Sequence, residues 1–144
     1  MITYRRATLS DLPVIKELTD KMLAPTCLGL ATSAKIINLL TNSAVNFELV
    51  FDDEQCVGYM AGVIHETLFN DIVRASDIGM YIIPGYRGGK LIDELLDRFE
   101  AWARSRGASQ LWLGQTTGNK IDLTKRFYER KGYTVVGVNC VKEI

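Results

Sequence analysis

Cysteine, proline and histidine are all scarce in this chain, and neither sign of charge predominates. The three cysteines, Cys27, Cys56 and Cys140, are odd in number, widely spaced and without a CxxC pair. They suggest neither a disulfide framework nor a zinc site, and they read as buried free thiols in preference to a catalytic cysteine. His65 is the single histidine. An imidazole titrates near neutrality and can serve as a base, but a lone histidine at a strand end is more often solvated or hydrogen-bonded, and that reading is preferred. Seventeen basic and seventeen acidic residues cancel, and no basic aromatic stripe is present, so no nucleic-acid partner is expected. No apolar run approaches the roughly 20 residues of a bilayer-spanning helix, and the first residues carry no signal-peptide core. No membrane association and a cytoplasmic location are therefore expected. What is present is an ordinary globular composition, 47% hydrophobic and 24% charged over 144 residues. That is enough for one core, and nothing marks a boundary within residues 1–144.

The most informative stretch runs from Met80 to Ala108. Tyr81, Ile82 and Ile83 form a short apolar strand that Pro84-Gly85 ends, since proline cannot donate to a ladder and glycine relaxes the backbone. Arg87 stands at the mouth of the turn that follows. From Leu91, apolar residues recur at Leu95, Leu96, Phe99 and Trp102, the one-faced spacing of a helix lying on a sheet. Gly107 closes it after Arg104 and Arg106, which complement the negative helix end. A strand, a glycine turn and a helix start together present free backbone N–H groups, the makings of an anion site.

Around this centre, Met1–Ala7 reads as a strand, and Ser10-Asp11-Leu12-Pro13 caps a helix with Val14, Ile15, Leu18 and Met22 on one face. A second short helix spans Ser33–Leu40. Phe47–Phe51 and Cys56–His65 form an antiparallel hairpin over the polar turn 52–55, with Gly58 and Gly62 marking bulges or close backbone contacts. Val73–Ile83 is a long strand. Asp77 within it is either a polar residue at an exposed strand start or a carboxylate among apolar neighbours. In the second case a raised pKa would suit it to take a proton from an ammonium group. By alternation it shares a face with Gly79 and Tyr81. Gln110–Gly114 is a fifth strand, parallel to the preceding one through a right-handed crossover. A helix from Lys120 to Arg130 follows the turn 116–119 and stops at Lys131-Gly132. Thr134–Val141 reads as two short closing strands hinged near Gly137.

PGYRGGKLIDELL, from Pro84 to Leu96, resembles the acyl-CoA-binding motif of the GNAT superfamily of N-acetyltransferases, in which an Arg or Gln is followed by spaced glycines. Aligned on Arg87 and Leu95-Leu96, Lys90 and Ile92 stand where the two family glycines belong. Gly88 and Gly89 still allow close approach, and the motif works through main-chain donors that any residue but proline supplies. TGNKIDLTKRFYERKGY, from Thr117 to Tyr133, is similar to a second family block. Phe127-Tyr128 and Gly132-Tyr133 match in register, whereas the family Asn falls on Ile121, and Asn119 lies two residues early.

The resemblance implies a mixed α/β (α+β) domain over residues 1–144, of the short stand-alone type found in bacteria and phages. It has a central sheet of about seven strands, splayed parallel strands 4 and 5, and about four helices. The implied activity is an N-acetyltransferase, an acyltransferase moving an acetyl group from acetyl-CoA (coenzyme A) to a primary amine by direct attack, with no metal. The implied cofactor-binding residues are Tyr81, Ile82, Ile83, Arg87, Gly88, Gly89, Lys90, Leu91, Ile92, Asn119 and Tyr128. Tyr128 is also the implied acid for the leaving thiolate, and Asp77 the implied base, with a water chain as the other proton acceptor. The acceptor is a small-molecule or peptide amine, and a homodimer is expected from family habit and the apolar final strands. The competing reading is a catalytically weak or inactive binding module on the same scaffold, kept open by Lys90 and Ile92.

Overall fold

The computed structural model describes residues 1–26, 28–114 and 120–144. They fall into two compact units, Met1–Leu113 and Gly114–Ile144. The first unit holds five strands, β1 (Ile2–Arg6), β2 (Val45–Asp52), β3 (Gln55–Glu66), β4 (Val73–Ile82) and β5 (Gln110–Trp112). Three helices accompany them: α1 (Leu12–Leu23), α2 (Ser33–Thr41) and α3 (Lys90–Ser105). The strands lie in sequence order in one mixed sheet, antiparallel from β1 to β4 and parallel between β4 and β5.

Ile15, Leu18 and Ile36 of α1 and α2 pack with Phe47, Leu49, Tyr59 and Ala61 on one face of the sheet. Leu95, Leu96, Phe99 and Ala103 form the buried stripe of α3. Gly62 shows where α3 lies: a Cβ there would collide with the Phe99 ring. The predicted role of that glycine in close contact thus holds, and only a hydrogen lets the ring seat on β3. Arg98, immediately before Phe99 on α3, forms an ion pair with Glu48 of β2 and covers the Tyr4 ring of β1 at 5.3 Å.

The N-terminal helix is anchored by one carboxylate. Asp11 accepts two bonds from the Arg5 guanidinium (2.8 and 2.9 Å), one from the Thr8 N–H (2.7 Å) and one from the Thr8 hydroxyl (3.1 Å). Arg5 foremost, helped by Thr8 and opposed by burial, brings the Asp11 carboxyl down to about 2.

Several expectations need correction. The sheet has five strands among the described residues, not about seven. Residues 134–144 form no ladder there, and Val135, Val136, Val138 and Val141 are exposed. Their β-branched composition measures fitness for a pleated surface, and a strand also needs a bonded neighbour. β5 ends at Trp112 rather than Gly114. The thiols of Cys56 and Cys140 are both free, but only Cys56 is buried; Cys27 lies outside the described residues. Finally, β4 carries a bulge. Gly62 pairs with Asp77 and Ala61 with Gly79, so Ile78 is an extra residue. One inserted residue reverses the alternation. Asp77 therefore shares the Gly62 face, under α3, and not the face of Gly79 and Tyr81.

Candidate active site

At the end of β4 the Ile83 N–H donates to the Val57 carbonyl (3.0 Å) and the Tyr86 N–H to the Ile83 carbonyl (3.2 Å). With Pro84 second and Gly85 third at φ 92°, residues 83–86 make a type II turn, whose third position requires positive φ. The Tyr86 hydroxyl donates to Asp52 (2.8 Å) and ties the turn to the end of β2. That bond raises the Tyr86 phenol pKa and lowers that of Asp52. Arg87 folds back along the strand. Its Nε donates to the Ile82 carbonyl (2.7 Å), and its guanidinium lies 5.3 Å from the Tyr81 ring centroid.

Gly88 (φ 86°) and Gly89 carry the chain into α3. A Cβ at either position would meet nothing within 4 Å among the described residues, so the backbone of the turn is open there. No side chain among the described residues caps the helix, which starts at Lys90. The first-turn N–H groups of Lys90, Leu91 and Ile92 therefore face forward, at the positive end of the macrodipole. Lys90 is exposed, while Leu91 and Ile92 are half-buried.

Beside this seat the parallel ladder is short. β5 pairs with β4 only at Arg74–Gln110, Ala75–Leu111 and Ser76–Trp112, whereas β4 continues to Ile82. On the β4 face away from α3, Tyr81 lies opposite Tyr59. The Tyr59 hydroxyl bonds Thr19 of α1 at 2.9 Å and lies 3.9 Å from the Met22 sulfur. Burial, against the Thr19 bond, pushes the Tyr59 phenol up to about 12, so it stays protonated. Sequence reasoning passed over this pair. The available signal was Thr19 within the stripe Ile15, Leu18, Thr19, Met22, a hydroxyl on an otherwise apolar helix face.

His65 is hydrogen-bonded, as preferred: Nδ1 donates to the Glu66 carbonyl (3.1 Å), and Nε2 lies within hydrogen-bond distance of the Ser76 hydroxyl (3.0 Å). In the second unit α4 (Ile121–Arg130) carries Tyr128, half-buried, with its ring 5.8 Å from Phe127 and 5.6 Å from Tyr133. The Tyr133 N–H donates to the Tyr128 carbonyl (3.0 Å), fixing the helix end at Lys131-Gly132. Asn119 lies outside the described residues. The first unit thus carries residues 81–83 and 87–92 on one strand–turn–helix segment, with Asp77 further back on β4.

The sequence profile of the acetyltransferase (GNAT) family matches residues 21–133. No curated protein sequence matches the chain. Among solved structures, a predicted acetyltransferase from Clostridium acetobutylicum with acetyl-CoA is 18% identical, with 99% of this chain and 96% of that one covered and a TM-score of 0.80. AAC(6')-Iy in complex with the bisubstrate analogue CoA-S-monomethyl-acetylneamine is 12% identical, with coverage of 100% and 98% and a TM-score of 0.80. A ribosomal-protein-alanine N-acetyltransferase from Brucella melitensis biovar Abortus 2308 is 16% identical, with coverage of 100% and 99% and a TM-score of 0.77.

Proposed function

The chain belongs to the GNAT acetyltransferase family, whose acyl donor is acetyl-CoA, and we propose that it acetylates a primary amine, a small molecule or a peptide, in the cytoplasm. The observation that carries this reading is the uncapped start of α3 behind a two-glycine turn whose backbone is open. Main-chain donors at the positive end of a helix suit a pyrophosphate. Lys90 and Ile92, at the family's glycine positions, leave that arrangement intact, since the donors are backbone groups and the Lys90 side chain is exposed.

In this reading the N–H groups from Gly88 to Ile92 hold the pyrophosphate, and Lys90 adds a charge-assisted contact. Arg87 braces the turn through the Ile82 carbonyl. The outer half of β4, Tyr81 to Ile83, borders the pantetheine arm where β5 no longer follows, and Asn119 adds a further contact. Acetyl-CoA supplies an acyl group already activated as a thioester. The chain's part is mostly positioning: a β4 N–H holds the carbonyl oxygen while the amine nitrogen bonds the carbonyl carbon, and the Tyr128 hydroxyl gives its proton to the departing sulfur. With α3 over one face, the amine approaches the half-buried Gly79 and Tyr81 on the other, where Tyr59 is already buried under α1. Asp77 lies on the other face by register, so we assign the amine's proton to water ahead of Asp77. The relatives' acceptors differ in chemistry, and at 12% and 16% identity neither is carried over.

The test is twofold. Calorimetry shows acetyl-CoA binding that collapses in Gly89→Pro, since proline removes a donor and cannot adopt the extended φ of −165° at that residue. Mass spectrometry of a panel of amines incubated with labelled acetyl-CoA then identifies the acceptor. No binding at millimolar acetyl-CoA refutes the enzyme reading.

A further inference from the structure

The sheet face turned away from α3 carries a second cluster of polar side chains, at the opposite end of β4 from the glycine turn. In the ladders His65 lies opposite Arg74, Arg74 opposite Gln110, and Ser76 opposite Trp112. His65 follows Ala61 by two steps of alternation, and Ala61 lies opposite Gly79. All five side chains therefore share the face of Gly79 and Tyr81.

Arg74 is held at two points. Its guanidinium stacks on the Trp112 ring, 4.0 Å from the centroid, and its Nε donates to the Gln110 side-chain oxygen (3.3 Å). The same oxygen accepts from the Trp112 indole (3.0 Å), so one amide fixes both partners. Among the described residues Arg74 forms no ion pair, and its terminal nitrogens Nη1 and Nη2 make no hydrogen bond. From Ala61 outward this face of the three strands carries no carboxylate, since Glu66 and Asp77 fall on the α3 face by register. The cluster is open to solvent: Trp112 is 40% exposed, His65 and Gln110 are exposed, and Arg74 is half-buried. A planar fork of donors, pre-set by stacking and lacking a counter-charge of its own, suits a bidentate carboxylate.

We propose that this cluster reads an acidic side chain on the acceptor, which makes the acceptor an acidic peptide and not a polycationic amine. The inference rests on the reading that the amine is acetylated beside Gly79 and Tyr81. Arg74 pairs with a residue four positions along β3 from the partner of Gly79, about 13 Å along the strands. No single amino acid spans that distance between its amine and its carboxylate. An extended peptide spans it in about four residues, which puts the acidic side chain on the fifth residue when the first supplies the amine. The unpaired charge of Arg74 meanwhile repels a substrate bearing several ammonium groups.

The probes are amidated hexapeptides of alanine with a free N-terminal amine and either glutamate or glutamine at the fifth position; glutamate at the second position is the register control. With labelled acetyl-CoA and mass spectrometry, kcat/KM for fifth-position glutamate exceeds that for glutamine about 10-fold, the weight of a charge-assisted pair. Glutamate at the second position gains nothing. In Arg74→Gln the ratio falls to about 1, the value for lost discrimination, and Arg74→Glu comes to favour lysine at the fifth position. Each ratio is taken within one protein, so a general loss of activity cancels. Titration of the same peptides to millimolar concentration without acetyl-CoA, read by NMR on the Trp112 indole N–H, tests the site apart from the chemistry: the fifth-position glutamate peptide shifts the signal and the glutamine peptide does not. Equal kcat/KM for the two peptides overturns the proposal and leaves the acetyltransferase reading standing. Absence of acetyl-CoA binding refutes that reading instead, and the titration then decides alone, an indole signal indifferent to glutamate overturning the proposal.

Discussion

Acid should loosen this protein through one carboxylate. Asp11 joins Arg5 of β1 to the start of α1, and its pKa falls from 3.8 to about 2 on folding. Such a shift is worth about 2.5 kcal/mol once the carboxyl is ionised in both states. The Arg5 side chain is 48% exposed, and solvent screening reduces the figure to roughly 1–2 kcal/mol. Because the folded pKa is the lower one, this stability is fully present above about pH 4–5 and drains away as the pH falls toward 2. The perturbation is Asp11→Asn, which keeps the shape and removes the charge. Urea unfolding of both proteins between pH 7 and pH 2 isolates the effect, since other carboxylates titrate alike in the two. At neutral pH the variant is less stable by roughly 1–2 kcal/mol, or about 3–8 °C in melting temperature for a chain of this size. The gap closes as the pH approaches 2. A gap that stays constant into acid would refute the linkage, and no gap at any pH would refute the ion pair.

Tyr128→Phe keeps ring packing with Phe127 and Tyr133 but removes the proposed acid; acetyl-CoA affinity persists by calorimetry while kcat falls about 10²-fold, and unchanged kcat discards the acid role. Asp77→Asn leaves the alkaline rise of the rate intact, since the bulge turns Asp77 toward α3; a flattened pH profile would restore it as the base. Gly62→Ala forces a methyl into the Phe99 ring and destabilises the fold by about 1–3 kcal/mol in chemical denaturation. Wild-type stability in that variant would mean that α3 is not keyed to the sheet there.

The central stretch was legible because each of its signals is local. Pro84-Gly85 marks its own turn, and the stripe Leu91, Leu95, Leu96, Phe99 and Trp102 announces a one-faced helix wherever it docks. Gly58 and Gly62 were read as bulges or close backbone contacts, although the sequence does not say that Phe99, 37 residues beyond Gly62, is what needs the space. The Ile78 bulge left no trace, because an extra residue is defined against a partner strand. That partner-dependence moved Asp77 to the other face. It also explains the closing segment: Thr134–Val141 has strand composition, but pairing is a property of two segments. The Thr19–Tyr59 bond joins residues 40 apart and is equally invisible to a scan of neighbours.

The notch at Gly62 acts on the proposed anion seat from a distance. Phe99 lies nine residues along α3 from Lys90, about 14 Å at the helical rise, so the ring serves as a pivot and the helix as a lever arm. A rocking of about 10° at the pivot would carry the first-turn N–H groups through roughly 2.4 Å, enough to break any hydrogen bond they make. The aim of the donors is therefore set at mid-helix. A substitution that merely loosens the notch would, on the proposed function, blur cofactor binding without touching a residue of the proposed phosphate site.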